Sequence, residues 1–166
     1  MQNYQSITTG FSVAAALSSG DLAQIHVMGF STVINNLPDE EVLNGFTSEV
    51  ARAEAETLGL GYIHLPVNGV TISDQNIIDQ FAKILSTSDR PVFSHCKSGT
   101  RSAILWGLAS ARRTEPTQIL STLERAGFEL DYLDDEFEEQ WEIALDNAAD
   151  NIPAHTQSRS EFSNHL

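Results

Sequence analysis

The sequence predicts an α/β domain with a central, mainly parallel sheet flanked by helices. Two observations carry this. Short apolar, β-branched runs alternate with helix-length amphipathic segments, the pattern of a wound sheet. Glycine, proline or short polar runs punctuate most of the junctions between them. The chain has 166 residues. Residues 1–150 suffice for one domain whose core needs neither disulfide nor metal.

Taken in order, residues 11–17 (FSVAAAL) read as an apolar strand, and residues 18–20 as a turn. A short helix over residues 21–28 closes at Gly29. Residues 30–35 (FSTVIN) are apolar and β-branched, which predicts a buried strand. A polar loop, 36–44, carries Pro38 and three acids. Thr47 or Ser48 can cap a helix running to Leu58, with Gly59 ending it. Residues 62–67 (YIHLPV) form the next strand, and Pro66 places it at an edge or marks its end. Ser73 is the expected cap of a helix over 74–85, with Ile77, Ile78, Phe81, Ile84 and Leu85 on one face. Residues 92–95 (VFSH) are a strand that delivers the chain into Cys96. A helix is expected over 102–112. Another is capped by Thr114, with Pro116 in its first turn and Gly127 beyond its end. A last, acidic helix is expected over 131–149, and the run of eight acids with no bases from Glu129 to Glu142 reads as a solvated face. The polar tail 151–166 has no apolar period and is expected to be disordered.

The chain holds 9 Lys and Arg against 23 Asp and Glu, a formal net charge of −14. Such acidity argues against nucleic acid or an anionic membrane as partner. A small anionic substrate would need a local positive pocket. The single cysteine excludes an intrachain disulfide and a Cys-rich zinc site. No secretory signal and no spanning apolar run is legible, so a cytoplasmic protein with a reduced thiol is expected. His26, His64, His155 and His165 have no metal-ligand spacing with carboxylates, and no glycine-rich nucleotide motif occurs. Neither metal nor cofactor is therefore expected.

The informative run is His95-Cys96-Lys97-Ser98-Gly99-Thr100-Arg101-Ser102. A strand enters it and a helix leaves it. Backbone N–H groups of such a loop can converge on one anion, and the helix start adds positive potential. Gly99 permits the sharp turn. Arg101 can fork two oxygens of an oxyanion. The same fields favour the thiolate form of Cys96, the nucleophilic form. Ser102 is expected to hydrogen-bond that thiolate or stabilise it as a leaving group. His95 is expected to orient the loop through a ring N–H. Lys97, Ser98 and Thr100 complete the candidate substrate-binding set.

Across residues 7–127 the sequence resembles the bacterial β-lactamase hydrolase-like phosphatase family, an offshoot of the dual-specificity tyrosine phosphatase fold. The resemblance rests on Gly29-Phe30-Ser31-Thr32-Val33-Ile34-Asn35-Asn36, Pro38-Asp39-Glu40-Glu41, Leu65-Pro66-Val67, the cysteine loop, and Leu105-Trp106. It implies a cysteine-phosphatase-like fold with Cys96 after a central strand. It also implies a link to a metallo-β-lactamase-like hydrolase, fused or encoded alongside, and some members are labelled sulfurtransferases. Three departures stand out. Four residues, not five, separate Cys96 from Arg101, a spacing that resembles rhodanese-type sulfurtransferases. Asn68 and Gly69 follow Val67 where such phosphatases carry an acid, which leaves Asp74 as the nearest candidate general acid. Leu37 stands where the family has arginine.

Three functions follow as expectations. A phosphatase would form a cysteinyl-phosphate on Cys96, with Arg101 stabilising the oxygens and Asp74 moving the proton. A rhodanese-type sulfurtransferase would carry a persulfide on Cys96. A non-catalytic module would bind the anion only. The phosphatase reading leads.

Overall fold

The computed structural model describes residues 3–153. Its five-stranded sheet has the order β1-β2-β5-β3-β4, with β1 (Tyr4–Thr8), β2 (Phe11–Ala14), β3 (Thr32–Asn35), β4 (Gly61–His64) and β5 (Val92–His95). β1 runs antiparallel to β2, and the other pairings are parallel. The alternation of strands and helices therefore gives the mainly parallel sheet it predicts. β1 is an addition to the sequence reading. Only Ile7 of its five residues is buried, so no apolar period announces it. β4 is the opposite edge strand and stops before Pro66. The backbone beyond it still pairs, with Leu65 N–H on the Asn35 carbonyl and Val67 N–H on that of Asn36.

Neighbouring residues of the parallel strands bury into opposite faces, the period-two rule of a sheet covered on both sides. Val13, Ile34 and Val92 face a core with Ile78, Phe81, Leu105, Ile119, Leu123 and Phe137. These come from α3 (Gln75–Thr87), α4 (Thr100–Ser110), α5 (Pro116–Arg125) and α6 (Asp134–Asp150). Ala14, Val33 and Phe93 face the other core. There they meet Leu22 and Ile25 of α1 (Asp21–Val27) and Ala51 and Ala55 of α2 (Ser48–Leu58).

Several helix starts differ from expectation. Asp74, not Ser73, caps α3, its carboxylate accepting from Asn76 N–H at 2.9 Å. Residues 71–73 are instead used in a 3-10 turn. α4 begins two residues early, at Thr100, which puts Arg101 inside its first turn. Glu115 rather than Thr114 precedes α5, and its side chain makes no cap. A 3-10 turn at Asp131–Leu133 precedes α6. Among the described residues, no helix is long and apolar enough to cross a membrane. Most of the tail expected to be disordered, 154–166, lies outside the described residues.

The parallel strands end together. Ala14, His95, Asn35 and His64 lie at one register level across β2, β5, β3 and β4. The loops that leave this edge bring together 15–20, 36–47, 65–74 and 96–99. That crevice is where open α/β sheets place their sites.

Candidate active site

Cys96 leaves β5 and turns at once. Its N–H donates to the Ala14 carbonyl at 3.3 Å, and Ala16 N–H donates to the Lys97 carbonyl at 3.4 Å. The loop is thus strapped to the exit of β2. Gly99 has φ +92°, and a Cβ there would meet the Ala14 carbonyl carbon and oxygen at 3.5 Å. Only glycine takes this left-handed turn without strain. The turn aims Gly99 N–H back at Cys96 Sγ, 3.1 Å away. Cys96 is fully buried beneath the loop, whereas Lys97 and Ser98 are exposed. Ser98 Oγ donates to Thr100 Oγ1 at 3.2 Å. The first helical bond of α4 runs from Ala103 N–H to the Gly99 carbonyl. The N–H groups of Thr100, Arg101 and Ser102 therefore have no acceptor within the helix.

Arg101 is held from two sides. Nη1 donates to Glu41 Oε2 at 2.8 Å and to the Val67 carbonyl at 2.7 Å. Nη2 donates to Glu41 Oε1 at 2.9 Å. A guanidinium has five N–H donors. Three are used, which leaves Nε–H and one Nη2–H, the side edge that forks an oxyanion. The Glu41 hydrogen bonds raise the Arg101 pKa most, and its charge and the nearby Cys96 add to this while burial opposes it. Glu41 in turn is held below the usual glutamate range, chiefly by its hydrogen bonds to Arg101, with the charges of Arg101 and Lys97 adding.

Ser102 departs from its expected place. Its hydroxyl donates to Asn36 Oδ1 at 2.8 Å, and that side chain is fully buried. A hydroxyl has one proton to give, so in this arrangement Ser102 does not donate to Cys96. Ser94 donates to the same oxygen at 2.8 Å, and Asn36 Nδ2 donates to the Leu65 carbonyl at 2.8 Å. Asn36 therefore ties the end of β5, the start of α4 and the chain beyond β4 into one buried knot. Asn35 shapes the same corner, accepting from Leu37 N–H at 2.8 Å and donating to the Tyr62 hydroxyl at 2.8 Å. His95 is buried and its Nδ1 has no hydrogen-bond partner, so an orienting bond does not come from that nitrogen. Its pKa is lowered to about 3, by burial first and then by His64, against a smaller pull from Asp21.

The remaining expectations sort as follows. Asp74 sits exposed at the α3 N-terminus, and its carboxylate is engaged there. Asn68 is locked in its own turn, accepting from Val70 N–H at 2.8 Å and Thr71 N–H at 2.9 Å. Leu37 is buried, and its carbonyl lies 2.9 Å from His64 Nε2. An open cleft of about 340 Å³ lies beside these residues, lined by Glu40, His64, Val67 and Asn68 among others. Glu41 and Asn36 carry roles that sequence reasoning did not assign. The signal was there for Asn36, a second polar residue at the end of an apolar strand. Glu41 had only its place in a loop leaving that edge.

Comparison with known proteins was made with this geometry in hand. The family model described as "Beta-lactamase hydrolase-like protein, phosphatase-like domain" matches residues 3–113. A curated Beta-lactamase hydrolase-like protein of Agrobacterium fabrum is 30% identical over 105 residues, 63% of this chain and 24% of that protein. One of Xylella fastidiosa (strain Temecula1) is 36% identical over 81 residues, 49% of this chain and 19% of that one. The aligned part is thus about a quarter or less of these relatives' length. PTPMT1 has a similar fold, with a TM-score of 0.69 at 16% identity, covering 89% of this chain and 99% of that one. The catalytic core of the PP-IP phosphatase SIW14 of S. cerevisiae, solved with citrate, has a TM-score of 0.58 at 15% identity, covering 89% and 93%.

Proposed function

The chain belongs to the phosphatase-like domain family of beta-lactamase hydrolase-like proteins, and on that premise we propose that it is a cysteine-dependent phosphatase. Family and fold support a hydrolase of the phosphatase type. The finer reading rests on one observation: Gly99 N–H at 3.1 Å from Cys96 Sγ, inside a loop that ends on Arg101. Donors aimed at the sulfur favour its thiolate, the form that attacks.

The steps follow from that arrangement. The Cys96 thiolate forms a bond to phosphorus as the bond to the leaving oxygen breaks. The free edge of Arg101 and the first-turn N–H groups of α4 stabilise the charged oxygens. The leaving oxygen takes its electron pair and a proton from solvent. Water then cleaves the S–P bond, releasing phosphate and restoring the thiolate. Lys97, Ser98 and Thr100 form the outer wall of this cradle. A reducing compartment such as the cytoplasm keeps the thiol available. By family analogy the partner is a metallo-β-lactamase-like hydrolase, within one longer chain or alongside.

Sulfur transfer is the second reading, and Asn68 favours it. Its side chain is committed to the backbone of its own turn and supplies no acid where a leaving alkoxide would need one. In that reading Cys96 attacks the outer sulfur of thiosulfate, sulfite leaves, and cyanide removes the sulfur as thiocyanate. Wild type and Cys96→Ser, each offered an aryl phosphate and separately thiosulfate with cyanide, decide between them. We expect phosphate release that falls roughly a thousandfold or more in the variant. Thiocyanate without phosphate release would transfer the assignment to sulfur, and silence in both would leave an anion-binding module.

A further inference from the structure

We propose that Glu41 tunes the charge selectivity of this loop, lowering its preference for a dianion over a monoanion of the same shape; the inference rests on the anion cradle described above. Glu41 does two things at once. Through its two bonds of 2.8 and 2.9 Å, it takes the end-on face of Arg101 and leaves the side edge, on a guanidinium that interacts with the Cys96 side chain, for the anion. It also places a negative charge beside Arg101, the partly buried cation of the cradle. With Cys96 as thiolate, the local charges are Cys96 and Glu41 against Arg101 and Lys97, and they sum to zero. Every further negative charge that enters therefore works against both the thiolate and Glu41, with no surplus cation to meet it. Removing Glu41's charge while keeping a side-chain oxygen for Arg101 relieves a dianion twice as much as a monoanion.

Tungstate and perrhenate test this, because they are tetrahedral oxyanions of nearly equal size carrying two charges and one. Their affinities are read by calorimetry on wild type and Glu41→Gln, each checked for folding by thermal melting. The tungstate-to-perrhenate affinity ratio should rise about tenfold in Glu41→Gln. A ratio that stays put while both affinities change would mean that Glu41 only orients Arg101, and would overturn the proposal. Lys97→Gln, at an exposed position, keeps the test open if Glu41→Gln does not fold. There the ratio should fall severalfold, and an unchanged ratio counts against charge selection. If neither anion binds wild type, the cradle itself is refuted, and with it both the function proposed above and this inference. If both bind but the ratio does not move, only this inference fails.

Discussion

At the scale of single residues, His95 ties the site to the stability of the whole fold. Its imidazole is buried with an unpartnered Nδ1, and its pKa falls from 6.5 to about 3. In the unfolded chain it takes a proton below pH 6.5, and in the folded protein it does not. A depressed folded pKa means stability that is full above 6.5 and is lost as pH falls toward 3. Between pH 6.5 and 5 the loss amounts to as much as about 2 kcal/mol. Urea midpoints measured across this range should fall for wild type and stay flatter in His95→Gln. Equal slopes would show that other groups carry the acid sensitivity. Cys96, Gly99 and Arg101 were legible in the sequence because their relation is local, six residues spanning one loop and the first turn of α4. Glu41 and Asn36 were not, because their partners lie 60 and 66 residues away, and only the sheet brings them together. Ser102 was misread for a related reason. Its spacing placed it beside the thiol, but the Asn36 knot decided where its hydroxyl points.

At the scale of elements, the four parallel strands and the six helices were legible because apolar periods announce them. The first turns were not. Ser73 and Asp74 are both good capping types, and local propensity cannot choose between them. The choice falls to Asp74 because residues 71–73 are drawn into a 3-10 turn, with Asn68 accepting from Thr71 N–H. β1 was invisible because it buries one residue and relies on pairing with β2. The capping role also bears on catalysis, since Asp74 was the nearest candidate acid. Asparagine caps as well as aspartate but cannot donate a carboxyl proton, so Asp74→Asn separates the two roles. We expect it to keep both melting temperature and turnover, whereas Asp74→Ala should cost about 1 kcal/mol of stability. A melting temperature that holds in Asp74→Asn while turnover collapses would return Asp74 to the chemistry.

At the scale of the whole molecule, the cradle works against the charge of its own chain. A net charge of −14 surrounds it. Taken at about 20 Å in water, each unit charge contributes roughly 0.2 kcal/mol before screening, so the total is about 3 kcal/mol against an incoming monoanion. Salt decides how much of this is felt. With a Debye length of about 30 Å at 0.01 M, close to half survives. At about 8 Å, in 0.15 M salt, less than a tenth does. Arg101 and Lys97 lie too near the sulfur to be screened to the same degree. The local and global fields therefore separate by ionic strength. Iodoacetate and iodoacetamide react with the single cysteine by the same displacement but differ by one charge. Their rate ratio on Cys96 consequently reads the potential at the sulfur. Raising salt from 0.01 to 0.15 M should increase the iodoacetate-to-iodoacetamide ratio severalfold, up to about tenfold. A site governed by its own cations alone would show the ratio falling instead. That result would mean that the acidic surface, including the exposed face of α6, is too far from the loop or too well screened to bear on what the loop admits.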